Sequence, residues 1–232
     1  MRRLVRDLNA AVRITLLLAV VCGIAYPLVM TGVAQVAFNG NANGSLVTDK
    51  NGKVIGSSLI GQCFYKSTTD ENGNTVYATT KDDQGNVIFV IDPRYFQSRP
   101  SFTVDSSGNP LPCNAANSTG SNLGPSSKVL VRRVTGYTDY LHSQGVAKNA
   151  DGSNAPMPVD LVTGDFTGFD PDISEAGALA QVNMVASARH LDPAKLTALV
   201  EAHVAGRSLG IFGSPHVNVL SLNMAIDAGA AS

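Results

Sequence analysis

The longest uncharged stretch of the chain lies near its N-terminus and predicts a membrane-spanning helix. Residues 14–38 contain no charged side chain. A helix rises about 1.5 Å per residue, so this stretch would span about 37 Å, whereas the hydrocarbon core of a bilayer is about 30 Å thick. Pro27 lies in the middle of the stretch and removes one backbone hydrogen bond, which predicts a kink there.

After this stretch, short β-type segments alternate with turns. Asp-x-x-Gly recurs four times, and Asp at the first turn position with Gly at the left-handed position suits a type I turn with a bulge. Three copies precede β-branched or aromatic residues and predict hairpins, whereas the fourth runs into Pro110 and predicts an irregular loop. The acids lack the ligand spacing of a calcium loop, which favours turns over calcium sites. The copies are 49–52, 70–73, 82–85 and 105–108.

From residue 126 onward the apolar positions recur at helical spacing. A first helix is predicted with Ser126 or Ser127 as its cap and Gly145 beyond its end. A polar linker over 147–157 and a short strand or extended entry over 158–163 follow.

The last third of the chain carries further helix signals. A helix is predicted from a cap at Asp172 or Ser174 to about His190, and another begins at Asp192 with Pro193 in its first turn. A strand over 217–220 and a short helix or turn over 222–227 complete the pattern.

This order predicts an α+β fold, with a hairpin-rich first half and a helix-rich second half. We predict three parts: a basic tail over 1–13, the transmembrane helix over 14–38, and one domain over 39–232.

The charges that flank the helix predict its orientation. Residues 1–13 contain four Arg and one Asp, whereas residues 39–46 contain no Lys or Arg. The positive-inside rule therefore predicts a cytoplasmic N-terminus and an extracytoplasmic C-terminal domain. A cleaved signal peptide has a similar pattern and stays an alternative, although the apolar run continues past the usual signal length.

Composition excludes one class of partner. Residues 14–232 contain 13 Lys and Arg against 17 Asp and Glu, a net charge of −4. No basic patch predicts nucleic-acid binding.

The helix also carries features that a lone anchor does not need. Gly23, Thr31 and Gly32 offer small surfaces for close helix packing, and Gln35 is polar near the outer end. They predict a partner helix. The alternative is that Gly and Pro are simply common in membrane helices.

Two cysteines lie outside the apolar stretch. In an oxidising compartment Cys63 and Cys113 could form a disulfide. Two free buried thiols are the alternative, because spacing alone does not show whether their Cα atoms come within bonding distance.

No pattern in the sequence predicts a metal centre or a catalytic site. The four His are scattered, and no Walker loop, dinucleotide loop or Gly-x-Ser-x-Gly is present. The polar loop 117–124 could cradle an anion at the following helix or simply cap that helix. Taken alone, the residues indicate a membrane-anchored, extracytoplasmic, non-catalytic accessory domain.

Eight short strings, in order, carry a resemblance to a known family. Together they resemble the C-subunit family (KdpC) of the Kdp potassium-transporting P-type ATPases. The strings are YPL at 26–28, NANGSL at 41–46, GSSLIGQ at 56–62, YF with RPS at 95–101, GSNLGP at 120–125, DLVT at 160–163, DPDIS at 170–174, and VNVL with LN at 217–223.

The resemblance implies a single-pass subunit of a cell-membrane complex. Its partners would be a channel-like A subunit, an ATP-hydrolysing B subunit and a small F peptide, together with membrane lipid. The complex would use ATP to drive high-affinity potassium uptake. This chain would not hydrolyse ATP; it would aid assembly and act as a catalytic chaperone that raises the ATP affinity of the B subunit. It would hold no cofactor permanently, with ATP and potassium ion handled by the complex.

The resemblance also implies roles for particular residues. Gln181 is expected to serve the ATP-linked role together with Arg189, while a solvent-facing helix residue is the alternative for Gln181. Because ATP is cytoplasmic and the domain is predicted outside, that role would be indirect. The helix would contact the channel-like subunit through Tyr26, Pro27, Thr31, Gly32 and Gln35. The family-motif loop consists of Gly120, Ser121, Asn122, Leu123 and Gly124.

The chain departs from the family pattern in three places. Residues 65–94 and 104–116 read as insertions. Met184 replaces a family Arg between Gln181 and Arg189.

Two functions from other classes stay open. One is a membrane-anchored hydrolase that uses Asp165, Asp170 or Asp172. The other is a surface scaffold, which the hairpin-rich insertions suggest.

Overall fold

The structure is a computed structural model that describes residues 2–71 and 73–231. Asn72, in the second predicted turn, lies outside the described residues, as do Met1 and Ser232. The chain divides into two compact units, Met1–Ser57 and Ser58–Ser232.

The first unit begins with one long helical segment. It contains helix α1 (Arg2–Val20), a π-helical turn (Val21–Ala25) and helix α2 (Tyr26–Ala37). Within the described residues, this segment is the one that is long and apolar enough to cross a membrane, judged by length and composition. The basic tail predicted over 1–13 is helical from Arg2, because no Gly or Pro interrupts that stretch.

Just before Pro27, where the sequence predicts a kink, the backbone forms the π-helical turn. The N–H of Tyr26 donates to the C=O of Val21, five residues back. Pro27 lacks the N–H that would continue the α-helical pattern, and π-turns are one known way to accommodate such a break.

The first unit ends in a short helix and a hairpin. Helix α3 (Asn39–Ala42) precedes strands β1 (Leu46–Thr48) and β2 (Val54–Ser57), which pair antiparallel. The turn between them is the first predicted Asp-x-x-Gly.

Two more predicted hairpins begin the second unit. Strands β3 (Ser67–Thr69) and β4 (Thr75–Tyr77) pair antiparallel, as do β5 (Thr79–Lys81) and β6 (Val87–Phe89). These hairpins are confirmed. In each Asp-x-x-Gly turn the Asp carboxylate accepts backbone N–H groups, and the Gly has a positive φ of 77–84°.

The fourth copy is also a hairpin turn, so the predicted irregular loop is wrong. Val104 and Pro110 form an antiparallel bridge. Pro110 has no N–H, but the next residue supplies the donor: Leu111 N–H donates to the C=O of Thr103 at 3.0 Å.

The helical half follows. Helix α4 (Lys128–Ser143) is capped by Ser127, whose Oγ accepts from the N–H of Leu130 at 3.4 Å. The strand or extended entry predicted over 158–163 is wrong: Val159–Leu161 is a 3₁₀ turn, and Thr163 N–H donates to the C=O of Val159.

The predicted helix 174–190 is two helices. Helix α5 (Glu175–Leu179) is capped by Ser174, and helix α6 (Val182–Arg189) follows after a break at Ala180 and Gln181. Helix α7 (Pro193–Ala202) is capped by Asp192, as predicted.

A small sheet and a last helix complete the second unit. Strands β7 (Asp172–Ile173), β9 (His216–Asn218) and β8 (Val204–Ala205) pair antiparallel in that order. The strand predicted over 217–220 ends at Asn218, because that residue caps helix α8 (Val219–Asp227) by accepting from the N–H of Ser221. The core lies between these helices and the sheet; its fully buried members include Ile91, Phe96, Leu196, Val200, Val217 and Leu222. The α+β fold is confirmed.

Candidate functional site

Residues 92–97 of the second unit lie outside any helix or strand, and Phe96 and Gln97 among them are buried. Two buried side-chain amides satisfy their backbone. Asn223 accepts from the N–H of Phe96 and donates to its C=O, both at 2.9 Å. Gln181 accepts from the N–H of Gln97 at 2.7 Å and donates to its C=O at 3.2 Å. Each amide thus plays the part that a neighbouring strand would play.

The burial of Gln181 overturns one of its two interpretations. Its side chain is 1% exposed, and its Nε2 also donates to the C=O of Gly177 at 3.1 Å. The solvent-facing alternative is therefore wrong. The amide is fully engaged with backbone partners, so it positions residues 92–97 instead of facing an open site.

Arg189 lies at the edge of the same segment, in the last turn of α6. Its guanidinium lies 4.6 Å from the ring centroid of Tyr95, and Nη2 pairs with Asp227 at 2.7 Å. Its Nε donates to the C=O of Arg94. The Tyr95 ring also stacks on the ring of Phe64, with the two ring centroids 5.3 Å apart.

These side chains border an open cleft of about 410 Å³. It presents guanidinium groups, an aromatic ring and a carboxylate, which are groups that recognise a partner's side chains. We call it the Tyr95 cleft. Its lining residues are Arg94, Tyr95, Ala188, Arg189, Leu191, Ile226 and Asp227.

Arg94 is held at the mouth of the Tyr95 cleft by Asp92. Arg94 Nη2 lies 2.6 Å from Asp92 Oδ2, and the guanidinium lies 5.8 Å from the Tyr95 ring centroid. The hydrogen bond from Arg94 is the main cause that lowers the pKa of Asp92. Asp92 therefore stays ionised at neutral pH.

The family-motif loop lies elsewhere in the unit and packs on residues 165–167. A Cβ on Gly120 would lie 2.8 Å from the Cα of Phe166, so the close approach requires glycine. Ser121 Oγ accepts from the N–H of Leu123 at 3.3 Å. Gly124 accepts from the N–H of Ser127, the residue that caps α4. Asn122 lies within this loop.

The acids considered for hydrolysis take part in local hydrogen bonds. Asp165 accepts from Thr167 and from the N–H of Gly168. Asp170 lies 3.8 Å from Arg99, and burial raises its pKa. Asp172 accepts from Asn218 at 3.1 Å.

Within residues 2–71 and 73–231, no group of three or more His, Cys, Asp and Glu side chains could hold a metal ion.

A disulfide joins Cys63 to Cys113, with Cα atoms 5.7 Å apart. It links the residues just before the first predicted insertion to the second insertion. Cys22 in the membrane-type helix is a free thiol.

The predicted helix contacts all lie on the surface of the first unit. Tyr26, Pro27, Thr31 and Gly32 are exposed. Gln35 is exposed as well, and its Oε1 accepts from Asn43 at 3.2 Å.

Comparison with known proteins identifies the family. A family model described as KdpC, K⁺-transporting ATPase, c chain, matches residues 8–228. The chain belongs to the KdpC family. The match runs from within α1 to just beyond α8, so it covers most of both compact units.

Relatives from three organisms are similar to this chain over at least 90% of its length. Potassium-transporting ATPase KdpC subunits from Bradyrhizobium diazoefficiens and Methylobacterium nodulans are 42% identical over 234 residues and 45% identical over 216 residues. The first alignment covers 98% of this chain and 100% of the relative, and the second covers 90% of each. The subunit from Allorhizobium ampelinum is 42% identical and covers 97% of each chain.

Sequence reasoning missed Tyr95, Asn223 and Asp227 as site residues. Two of them fall inside strings that carry the family resemblance, YF at 95–96 and LN at 222–223. For Asn223 the available signal was an amide side chain next to Leu222, because an amide that becomes buried beside an apolar residue needs hydrogen-bond partners.

Proposed function

We propose that the chain is a non-hydrolytic accessory subunit of a high-affinity, ATP-driven potassium uptake complex. The observation that carries this proposal is the family match over residues 8–228, which covers most of the N-terminal apolar helix and most of the second unit. The partners would be a channel-like A subunit, an ATP-hydrolysing B subunit and a small F peptide.

The first unit would hold the chain in the cell membrane beside the channel-like subunit. The exposed apolar surface of α1 and α2 supports this role, because such a surface needs lipid or another helix to cover it. Thr31 and Gly32 offer a small-residue surface, and a Cβ on Gly32 would meet no atom within 4 Å.

The C-terminal domain would lie outside the cytoplasm. Four Arg before the apolar stretch and none in residues 39–46 support this orientation. The Cys63–Cys113 disulfide supports it too, since disulfides persist in oxidising compartments.

The orientation has a direct test. In a Cys22→Ser chain, intact cells are treated with a membrane-impermeant reductant and then with a membrane-impermeant maleimide. We expect Cys63 and Cys113 to be labelled in intact cells only after reduction. Labelling that requires broken cells would place the domain in the cytoplasm and refute this part of the proposal.

An extracytoplasmic domain can influence ATP affinity only through the conformation of the complex. We propose that the Tyr95 cleft, with Arg189 at its edge, contacts a partner subunit and so favours the conformation with high ATP affinity. The buried Gln181 would contribute by holding residues 92–97 in place.

This coupling predicts a change in the ATP dependence of the purified complex. Replacing Arg189 by Met removes the ion pair with Asp227 and the cation–π contact with Tyr95, so we expect a several-fold rise in KM for ATP with kcat little changed. Arg132→Met, at an exposed position of α4, is the control. A photoreactive ATP analogue should label the ATP-hydrolysing subunit; labelling of this chain would contradict an indirect role.

A further inference from the structure

A second cleft in the larger unit lies between α4, the hairpin β5–β6 and residues 100–104. Its volume is about 440 Å³, within the range of small-molecule sites. Val129, Arg133 and Tyr137 line it from one face of α4, since they are spaced four residues apart. Val87 and Phe89 line it from the hairpin. We call it the Arg133 cleft.

Both predicted insertions contribute to its walls. The hairpin β5–β6 belongs to residues 65–94, and Val104 and Pro110 belong to residues 104–116. The Arg133 cleft therefore depends on both segments that the sequence predicts to be insertions.

Most polar groups around the Arg133 cleft already have partners. Thr103 Oγ1 donates to the C=O of Leu111 at 2.6 Å and accepts from the N–H of Asn114 at 3.0 Å. Ser101 Oγ accepts from the N–H of Cys113 at 2.8 Å.

Arg133 differs from these groups. Its guanidinium lies 4.2 Å above the Phe102 ring, and its buried Nη1 has no hydrogen-bond partner in the part of the chain that the structure describes. No ion pair joins it to a carboxylate of the described residues either. Burial lowers the pKa of Arg133 because the desolvated cation is disfavoured. An anion beside the guanidinium would offset that cost.

We propose that the Arg133 cleft binds an organic carboxylate with an apolar body. The carboxylate would pair with the Arg133 guanidinium, and the hydrocarbon or aromatic body would lie against Phe102, Val129 and Phe89. A single cation among apolar walls suits a monoanion better than a phosphate, which carries more charge and prefers several donors.

Titration calorimetry with the full chain in lipid nanodiscs tests this proposal. The probe is 4-phenylbutyrate, with 4-phenylbutanol as its uncharged analogue and empty nanodiscs as the blank. We expect saturable binding of the carboxylate and about tenfold weaker binding of the alcohol, since hydrogen bonds to a charged group are worth that much. Decanoate forms a second arm: stronger binding than phenylbutyrate would indicate a membrane-derived fatty acid, and weaker binding a water-soluble ligand.

Three variants separate the cleft from other surfaces. Arg133→Met removes the guanidinium but keeps an unbranched apolar side chain, and it should weaken carboxylate binding about tenfold, while Arg132→Met on the exposed side of α4 should not. Val129→Glu places a carboxylate one turn from Arg133 and should compete with the probe. Circular dichroism checks that each variant is folded. The proposal is overturned if 4-phenylbutyrate gives no saturable heat, or if Arg133→Met binds it as the original chain does.

Discussion

At the residue scale, the core depends on two buried side-chain amides. They make the backbone hydrogen bonds that a neighbouring strand would otherwise make. Gln181 and Asn223 each bond the N–H and the C=O of one residue, Gln97 and Phe96. A buried backbone group without a partner costs free energy, so both amides stabilise this irregular segment. Tyr95 belongs to the same segment. The packing that holds this segment in place therefore also positions the Tyr95 ring in the Tyr95 cleft.

Gln181→Ala should therefore destabilise the protein strongly. It leaves the buried N–H and C=O of Gln97 unpaired, and we expect the free energy of unfolding to fall by about 2–4 kcal/mol. Urea titration of the chain in detergent, followed by circular dichroism, measures the change. Asn183→Ala, at an exposed position of α6 two residues further along the chain, should change it by about 0.5 kcal/mol or less. Equal effects of the two substitutions would contradict the role of Gln181.

At the element scale, the turn of hairpin β5–β6, which belongs to a predicted insertion, packs against helix α4. The turn residue Asp82 is buried, and its carboxylate accepts from the N–H groups of Gln84 and Asn86 at 3.0 and 2.8 Å and from Asn86 Nδ2 at 2.7 Å. A Cβ on Gly136 would meet that carboxylate. The hairpin can approach the helix because position 136 has no side chain.

Gly136→Ala should loosen this contact. The three hydrogen bonds hold Asp82 in place, so the new methyl group would force the turn away from α4. Overpacking costs about 1–3 kcal/mol and the gain in helix propensity returns up to about 1 kcal/mol, so we expect a net loss of about 1–2 kcal/mol. Thermal or urea unfolding measures it.

Two matched variants make this prediction specific. Gly124→Ala adds the same methyl group where no atom lies within 4 Å, and it should have little effect. Shortening the turn residue in the double variant Gly136→Ala with Asp82→Ser should remove part of the clash. Additive losses in the double variant would show that the hairpin and the helix do not interact in this way.

At the scale of the whole molecule, a disulfide cross-links two distant segments of the second unit. The disulfide between Cys63 and Cys113 joins residues 50 apart in sequence. It ties the chain just before the first predicted insertion to the second one. Closing a long loop restricts the unfolded chain, and this restriction stabilises the folded unit.

Breaking the disulfide should lower stability by about 2–4 kcal/mol. The measurement compares urea unfolding of Cys63→Ser with that of Cys22→Ser, which leaves the disulfide intact. Treating the Cys22→Ser chain with a reductant should reproduce the loss, whereas the Cys63→Ser chain should not respond to the reductant. An unchanged unfolding midpoint after reduction would refute this contribution.

Features set by short stretches of chain were predictable from the sequence. The uncharged stretch over 14–38 determined the membrane-type helix, and the Asp-x-x-Gly spacing determined the hairpin turns. The caps Ser127 and Asp192 follow the same logic. In the turns and caps a side chain bonds the backbone within four residues, so local sequence spacing is enough to predict the interaction.

Other features were decided only by the tertiary structure. Gln181 and Asn223 bond partners 84 and 127 residues away, and Arg133 faces walls from segments that lie more than 20 residues from it in sequence. The helix break before α6 and the 3₁₀ turn at Val159–Leu161 depend likewise on what packs around them. The packing of the whole chain determines these partners, because it decides which distant backbone group lies beside each buried polar side chain.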